Sequence, residues 1–333
     1  MSICPPLVDS HGRVHTSLRI SVTDRCNIRC FYCMPCETVQ FKPRSELLTF
    51  EEIERLVRVV APMGVTKLRI TGGEPLVRAE LPKLIAALAA VPGIQEVAMT
   101  TNGSLLADRA MALKRAGLAR LNISLDGLSE ETFRRIARRG GLDRVLAGIE
   151  AARRLDFREI RLNAVVIRGI NEHEIVPLAR FARQHDLPLR FIEFMPLDGD
   201  GKWQDAQVLG GDEIRVQLEE AFGPLVPAER PDPSQPATDY RFADGTGRIG
   251  FISSVSEPFC QWCNRLRVTA EGQLRNCLFS TVEWDARAVM RTGGTDQQLA
   301  NLVRACVAGK KAGHGTDSFA FTRPERAMYQ IGG

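Results

Sequence analysis

The residues best suited to chemistry are the cysteines, nine in a chain of 333 residues. Cys26, Cys30, Cys33 and Cys36 crowd an early segment, Cys260, Cys263 and Cys277 form a late group, and Cys4 and Cys306 stand alone. The spacing Cys26-x3-Cys30-x2-Cys33 lets three thiolates hold three corners of a cubane iron–sulfur cluster within one loop. The fourth iron then lacks a protein ligand and can chelate a small molecule, as an open position does at other catalytic metal sites. The competing reading is a zinc knot or a group of buried thiols, with Cys36 as a fourth ligand. Zinc sites commonly use histidine, and the five histidines all lie outside this motif. The late group, Cys260-Gln261-Trp262-Cys263 and then Cys277, again offers three thiolates, and a structural zinc there would need a fourth ligand such as Cys306.

These cysteines need a scaffold. From residue 18 onward, β-rich runs (Leu18–Val22, Lys67–Thr71, Val97–Thr101, Arg120–Ser124, Ile160–Val166, Leu189–Phe194) alternate with amphipathic helical patterns. Thr49 and Ser129 precede acidic first turns, a helix-start signal. Six β–α alternations imply an α/β fold, a parallel sheet or partial barrel with right-handed crossovers. The expected fold class is an incomplete (βα)6 TIM-type barrel with a C-terminal cluster-binding region closing the open side. The expected division is an N-terminal arm (1–17), the partial barrel (18–225), a Pro-rich linker (226–240) and a C-terminal region with a Gly-Gly tail (241–333). The early cysteines follow the first strand. Thr71-Gly72-Gly73-Glu74-Pro75, Thr100-Thr101-Asn102-Gly103, Ser124-Leu125-Asp126-Gly127 and Met195-Pro196 end later strands. All fall at the carboxyl ends of strands, where parallel βα folds bind ligands.

Composition narrows the class. Hydrophobic content of 44% and charged content of 25% fit a globular protein and exclude a disordered or fibrous one. With 44 Lys+Arg against 40 Asp+Glu the net charge is only +4, so neither nucleic acid nor membrane is an expected partner. The longest apolar run, near Leu84 to Ile94, is broken by Pro92 and Gly93. The N-terminal residues lack a signal-peptide core, so cytoplasm is the expected compartment, and its reducing milieu favours metal over disulfide chemistry.

The early cysteine motif with its aromatic before the last Cys, followed by GGEP after the next strand, resembles the radical S-adenosylmethionine superfamily. LRISVTDRCNIRCFYCMP, KLRITGGEPLVR, TTNG, LNISLDG, RFIEFMP, FCQWCNRLRVTAEGQLRNCL and a terminal IGG narrow the resemblance to the GTP 3′,8-cyclase family of molybdenum-cofactor biosynthesis, over nearly the whole chain. The resemblance implies a radical lyase that removes the ribose 3′ hydrogen of GTP with a 5′-deoxyadenosyl radical, after which C3′ attacks guanine C8. It implies two 4Fe-4S clusters, on Cys26, Cys30 and Cys33 and on Cys260, Cys263 and Cys277. It assigns S-adenosylmethionine to Tyr32, Gly73, Glu74, Ser124 and Met195. It assigns GTP to Arg19, Arg69, Thr100, Arg161, Arg265, Leu266 and Arg267, with Arg19, Arg265 and Arg267 catalytic.

Guanidinium suits a triphosphate because its paired donors match phosphate oxygens. The family usually has Lys where this chain has Arg161, which keeps the charge but changes reach, and Cys36 stands where a non-cysteine is usual. The implied partners are a low-potential flavodoxin or ferredoxin, a second copy of the chain, and the cyclic pyranopterin monophosphate synthase that takes the product. Two alternatives remain from sequence: a peptide-modifying radical enzyme with an auxiliary cluster, and a non-catalytic iron–sulfur redox sensor.

Overall fold

The computed structural model describes residues 5–35, 39–197, 201–230, 232–315 and 321–332. Cys4, Cys36 and Gly333 therefore lie outside the described residues. Six parallel strands form the frame: β1 (Ser17–Ser21), β2 (Lys67–Thr71), β3 (Glu96–Thr101), β4 (Arg120–Ser124), β5 (Glu159–Val166) and β6 (Leu189–Glu193). Between them run α1 (Phe50–Val60), α2 (Leu81–Ala89), α3 (Ala110–Arg115), α4 (Glu130–Ala137), α5 (Leu142–Arg153) and α6 (Ile175–Gln184), and α7 (Gly211–Phe222) follows β6. The α1 start carries the capping box read from sequence: Thr49 accepts from Glu52 N and the Glu52 side chain answers to Thr49 N.

The strands alternate in an informative way. In β1, β2 and β4 the buried apolar residues are Leu18 and Ile20, Leu68 and Ile70, Leu121 and Ile123. They belong to one continuous apolar cluster with the helices. Period-two alternation then turns Arg19, Arg69 and Asn122 to the other face. A fully packed barrel would fill that inner face with branched apolar side chains. This one lines it with charge and amide, which fits a solvent-filled cavity and not a core.

The last third of the chain adds to both edges of this frame. Strands β7 (Leu225–Pro227), β8 (Thr238–Phe242) and β9 (Arg248–Ile252) attach on one side, with β9 parallel to β6. On the other, β10 (Arg265–Val268) pairs parallel with β1 and leads to β11 (Gln273–Arg275) and β12 (Trp284–Asp285). Helices α8 (Ala286–Arg291), α9 (Asp296–Ala308) and α10 (Met328–Ile331) complete the described elements. The described strands form one sheet in the order β12-β11-β10-β1-β2-β3-β4-β5-β6-β9-β8-β7.

The segment read as a Pro-rich linker (226–240) is tied in. Its ends pair antiparallel as β7 and β8, and Asp232, Ser234, Gln235 and Pro236 between them line the central cavity. Proline density marked an irregular connection but could not reveal that it closes a wall. The N-terminal arm is docked too. Asp9 and Arg13 pair at 2.6 Å, and Arg13 donates to the carbonyls of Cys260, Lys311 and Ala312 at 2.7–2.8 Å.

Candidate active site

Topology alone places the two cysteine groups. Cys26, Cys30 and Cys33 follow the carboxyl end of β1. Cys263 precedes β10, which runs parallel to β1 with Ser17 beside Arg265, so it lies toward the opposite, amino end. Strand β11 returns antiparallel to β10, which brings Cys277 back beside Cys263. A cavity of about 600 Å³ is lined by Cys26, Cys30 and Cys33 and also by Phe259, Asn264, Arg265 and Leu278, neighbours of the second group whose own three cysteines are not part of its lining. Its size suits small-molecule ligands. The six motif cysteines form no disulfide and are partly exposed.

The first cysteine loop is clasped by GGEP. Gly73 N donates to Thr23 O at 2.7 Å and Glu74 N to Arg25 O at 2.8 Å. A Cβ on Gly73 would meet Arg25 O at 2.5 Å, so glycine is required for two backbones to touch, not for an unusual φ. Glu74 is not in the cavity. It is fully buried, and its carboxylate accepts from Leu76 N, Thr101 Oγ1 and Asn102 N at 2.7–2.9 Å. Burial still pushes its carboxyl up to about 7. Its side chain ties its own loop to the loop after β3, which a motif read as ligand contact could not show. Asn102 in turn reaches Cys26 Sγ at 3.7 Å. Tyr32 donates to Asp126 at 2.6 Å, and burial raises that carboxyl to about 6. Burial, with Glu74 second, lifts Cys26 to about 11. Burial likewise lifts Cys30, ahead of Asp126 and the other two cysteines, and lifts Cys33, ahead of Cys26.

Below that loop lies the positive wall. Register places Arg267 beside Arg19 and Arg19 beside Arg69 on adjacent strands, about 4.7–4.9 Å apart in the pairing direction. Among the described residues no carboxylate forms an ion pair with any of the three. Burial and then their mutual repulsion pull Arg19 and Arg69 down, and Arg267 falls to about 9 from burial followed by Arg265. Arg161 lines the same cavity but is paired with Glu159 at 2.5 Å. Thr100, Ser124 and Met195 also line it. Leu266 does not: alternation turns its side chain into the apolar core, leaving only its backbone near the wall. The C-terminal tail reaches this wall as well, since Arg267 donates to Gly332 O at 2.7 Å.

The second cysteine group is built differently from the first. Arg265 directs Nε and Nη2 to Cys263 Sγ at 3.4 and 3.3 Å and stacks over Phe259, so it is engaged with sulfur as well as lining the cavity. Lys310 donates to the same sulfur at 3.4 Å. Burial would raise the Cys263 thiol, but Arg265 and then Lys310 outweigh it and hold it at about 6. Cys306 is buried in the main core, where burial lifts its thiol to about 12. Among the described residues no group of three or more His, Cys, Asp or Glu forms a ready site for a metal ion.

Sequence reasoning missed Arg120, Asn122, Arg190 and Lys310. The signal for the first three was there: they occupy the same alternating face as Arg19 and Arg69, and all three line the cavity. The Asn122 amide oxygen, turned to satisfy both neighbours, accepts from Arg69 at 2.8 Å. Lys310 carried no local signal.

A barrel open on one side, with a three-cysteine loop beyond its first strand clasped by GGEP, defines a class. A family model described as Radical SAM superfamily matches residues 20–182, and one described as Molybdenum Cofactor Synthesis C matches residues 187–316. In fold the chain is similar to Streptococcus suis SuiB bound to S-adenosylmethionine, with a TM-score of 0.64 at 14% identity over 95% of this chain and 77% of that one. It is 55% identical to a GTP 3′,8-cyclase of Rhodopirellula baltica over 98% of this chain and 92% of the relative. A GTP 3′,8-cyclase of Pelotomaculum thermopropionicum is 44% identical over 98% and 99%. The chain belongs to the GTP 3′,8-cyclase family within the radical S-adenosylmethionine superfamily, and it is an enzyme of that family. No helix among the described residues is long and apolar enough to cross a membrane.

Proposed function

We propose that the chain converts GTP to (8S)-3′,8-cyclo-7,8-dihydroguanosine 5′-triphosphate with two 4Fe-4S clusters, one on Cys26, Cys30 and Cys33 and one on Cys260, Cys263 and Cys277. The observation that carries this reading is the in-register row Arg267–Arg19–Arg69, a partly buried positive wall that forms no ion pair with a carboxylate among the described residues, set between the first cysteine trio and the segment that carries the second. Like charges crowded on the wall of a confined cavity repel one another, and a polyanion bound there relieves that repulsion. A triphosphate is such a ligand, and a peptide substrate would not need it. The donor set fits the clusters: three thiolates each, no histidine, and one open iron apiece.

When bound, the first cluster and S-adenosylmethionine would supply the radical that takes the ribose 3′ hydrogen; C3′ would then join guanine C8, and one further electron and one proton added to the purine would complete the 7,8-dihydro product. The chain's own residues hold the reactants. Gly73 offers backbone at the S-adenosylmethionine end, with Glu74 fixing that loop from behind. Tyr32, oriented by Asp126, Ser124 and Met195 complete that end. Arg19, Arg69, Arg161, Arg267 and Thr100 orient the triphosphate and ribose, Leu266 contributing backbone alone. Arg265 faces both the cavity and Cys263, which suits a catalytic role at the second cluster. The two electrons, one for cleavage of S-adenosylmethionine and one for the cyclised radical, come from a low-potential flavodoxin or ferredoxin, the product passes to cyclic pyranopterin monophosphate synthase, and the enzyme acts as a cytoplasmic homodimer.

The test is an anaerobic turnover with GTP deuterated at the ribose 3′ position. Deuterium should appear in 5′-deoxyadenosine alongside the cyclised nucleotide. Cleavage of S-adenosylmethionine without deuterium transfer would assign the radical to another substrate or position.

A further inference from the structure

The two cysteine trios sit in unequal electrostatic surroundings. Around the first, Glu74 and Asp126 are buried carboxyl groups, Cys26 Sγ meets the neutral amide of Asn102, and the nearby Arg29 donates to the carbonyls of Cys26 and Ile28. Around the second, two cations touch one sulfur. Lys310 is the less expected of these. It is only 4% exposed, and its ammonium donates to Cys263 Sγ at 3.4 Å, to Arg265 O at 2.9 Å and to Asn276 O at 2.7 Å.

These contacts use all three ammonium donors, and they join both arms of the trio: the strand leaving Cys263 and the turn entering Cys277. Lys310 itself is anchored just past α9, where its N–H donates to Val307 O at 3.0 Å. Asn276 donates to Cys306 O at 2.9 Å, so helix, lysine and cysteine turn form one unit. Side chains that hydrogen-bond a ligand fix its orientation, and hydrogen bonds to cluster sulfurs together with local net charge set reduction potential. A cation beside a cluster favours the more negative, reduced state.

We infer that Lys310 is a positioning residue for the second trio, and that its ammonium, with the Arg265 guanidinium, holds the cluster there at a higher reduction potential than the cluster on the first trio. This rests on the two-cluster reading above. The consequence is a division of labour: the strongly reducing electron stays at the end that cleaves S-adenosylmethionine, and the second cluster is left for binding.

The experiment is a redox titration followed by electron paramagnetic resonance on anaerobically reconstituted full-length enzyme without S-adenosylmethionine, together with iron and sulfide counts. Cys277→Ala identifies the second-cluster signal by its loss. In the unsubstituted enzyme that signal should appear at higher potential than the first. Lys310→Met should lower it, giving a tenfold smaller reduced-to-oxidised ratio at fixed potential, about 59 mV for one electron, with the first signal unmoved. Lys310→Arg should restore most of the shift. Selective loss of the second cluster in Lys310→Met but not in Lys310→Arg also supports the assignment, through positioning. Unchanged potential in Lys310→Met, equal shifts at both clusters, loss of the second cluster in both lysine variants, or a second cluster more reducing than the first overturns it. Only about four irons in the unsubstituted enzyme would instead overturn the two-cluster reading itself.

Discussion

At the scale of single residues, the cysteines that look equivalent in sequence are unequal in the fold. Cys263 is held at about 6 because Arg265 and Lys310 outweigh its burial, whereas burial lifts Cys26 to about 11 and raises Cys30 and Cys33 as well. The thiolate is the nucleophile, so in cluster-free protein at pH 7 iodoacetamide should label Cys263 first. The early trio should follow only as pH rises well above 9, a sequence that peptide mass spectrometry would read directly. Equal labelling of both groups at pH 7 would contradict the cationic surroundings of Cys263. Glu74 gives a second test. Both its oxygens accept from buried donors, so Glu74→Gln must turn an NH2 group against an N–H. Leaving one such group unsatisfied costs about 1–3 kcal/mol, and thermal unfolding should show a lower Tm with all six motif cysteines still present.

At the scale of elements, the barrel strands were legible because their chemistry repeats. Leu18-Arg19-Ile20 and Leu68-Arg69-Ile70 carry the same alternation, and both strands begin and end within one residue of the ranges read from sequence. What sequence could not supply was register. That Arg267, Arg19 and Arg69 stand in one row depends on β10 joining β1, a pairing between residues some 250 positions apart. The same long-range docking hid Lys310 and turned a proline-rich stretch into cavity wall.

The tail illustrates the limit from the other side. Its glycines alone suggest disorder, yet Gly332 has φ +79° and a Cβ there would lie 2.7 Å from Thr71 Oγ1 and 2.8 Å from Ser21 Cβ. Gly332→Ala should therefore expel the tail from Arg267 through strain and clash together. Removing Gly332 and Gly333 should have the same result. In both variants product formation should fall while iron content and S-adenosylmethionine affinity stay unchanged. Full product formation by the truncated enzyme would leave the Arg267–Gly332 contact without a role in turnover.

At the scale of the whole molecule, the sheet separates two tasks along one axis. The loop after β1 lies at the carboxyl end of the strands, where parallel barrels carry their chemistry, and the segment before β10 brings a second sulfur site to the opposite mouth. The arginine row between them belongs to neither, so a nucleotide lying along it would touch both ends at once. Such an arrangement makes the two halves separable by mutation. Cys33→Ala should abolish reductive cleavage of S-adenosylmethionine, because it removes a ligand from the end that performs it. Cys277→Ala should leave that cleavage measurable but uncoupled, with 5′-deoxyadenosine formed and no cyclised GTP, because the base is no longer fixed relative to the ribose. Chromatographic quantification of both products in parallel anaerobic assays distinguishes the cases. If Cys277→Ala stops cleavage as completely as Cys33→Ala, the second site serves radical formation too, and the division of the molecule into a radical end and a binding end is wrong.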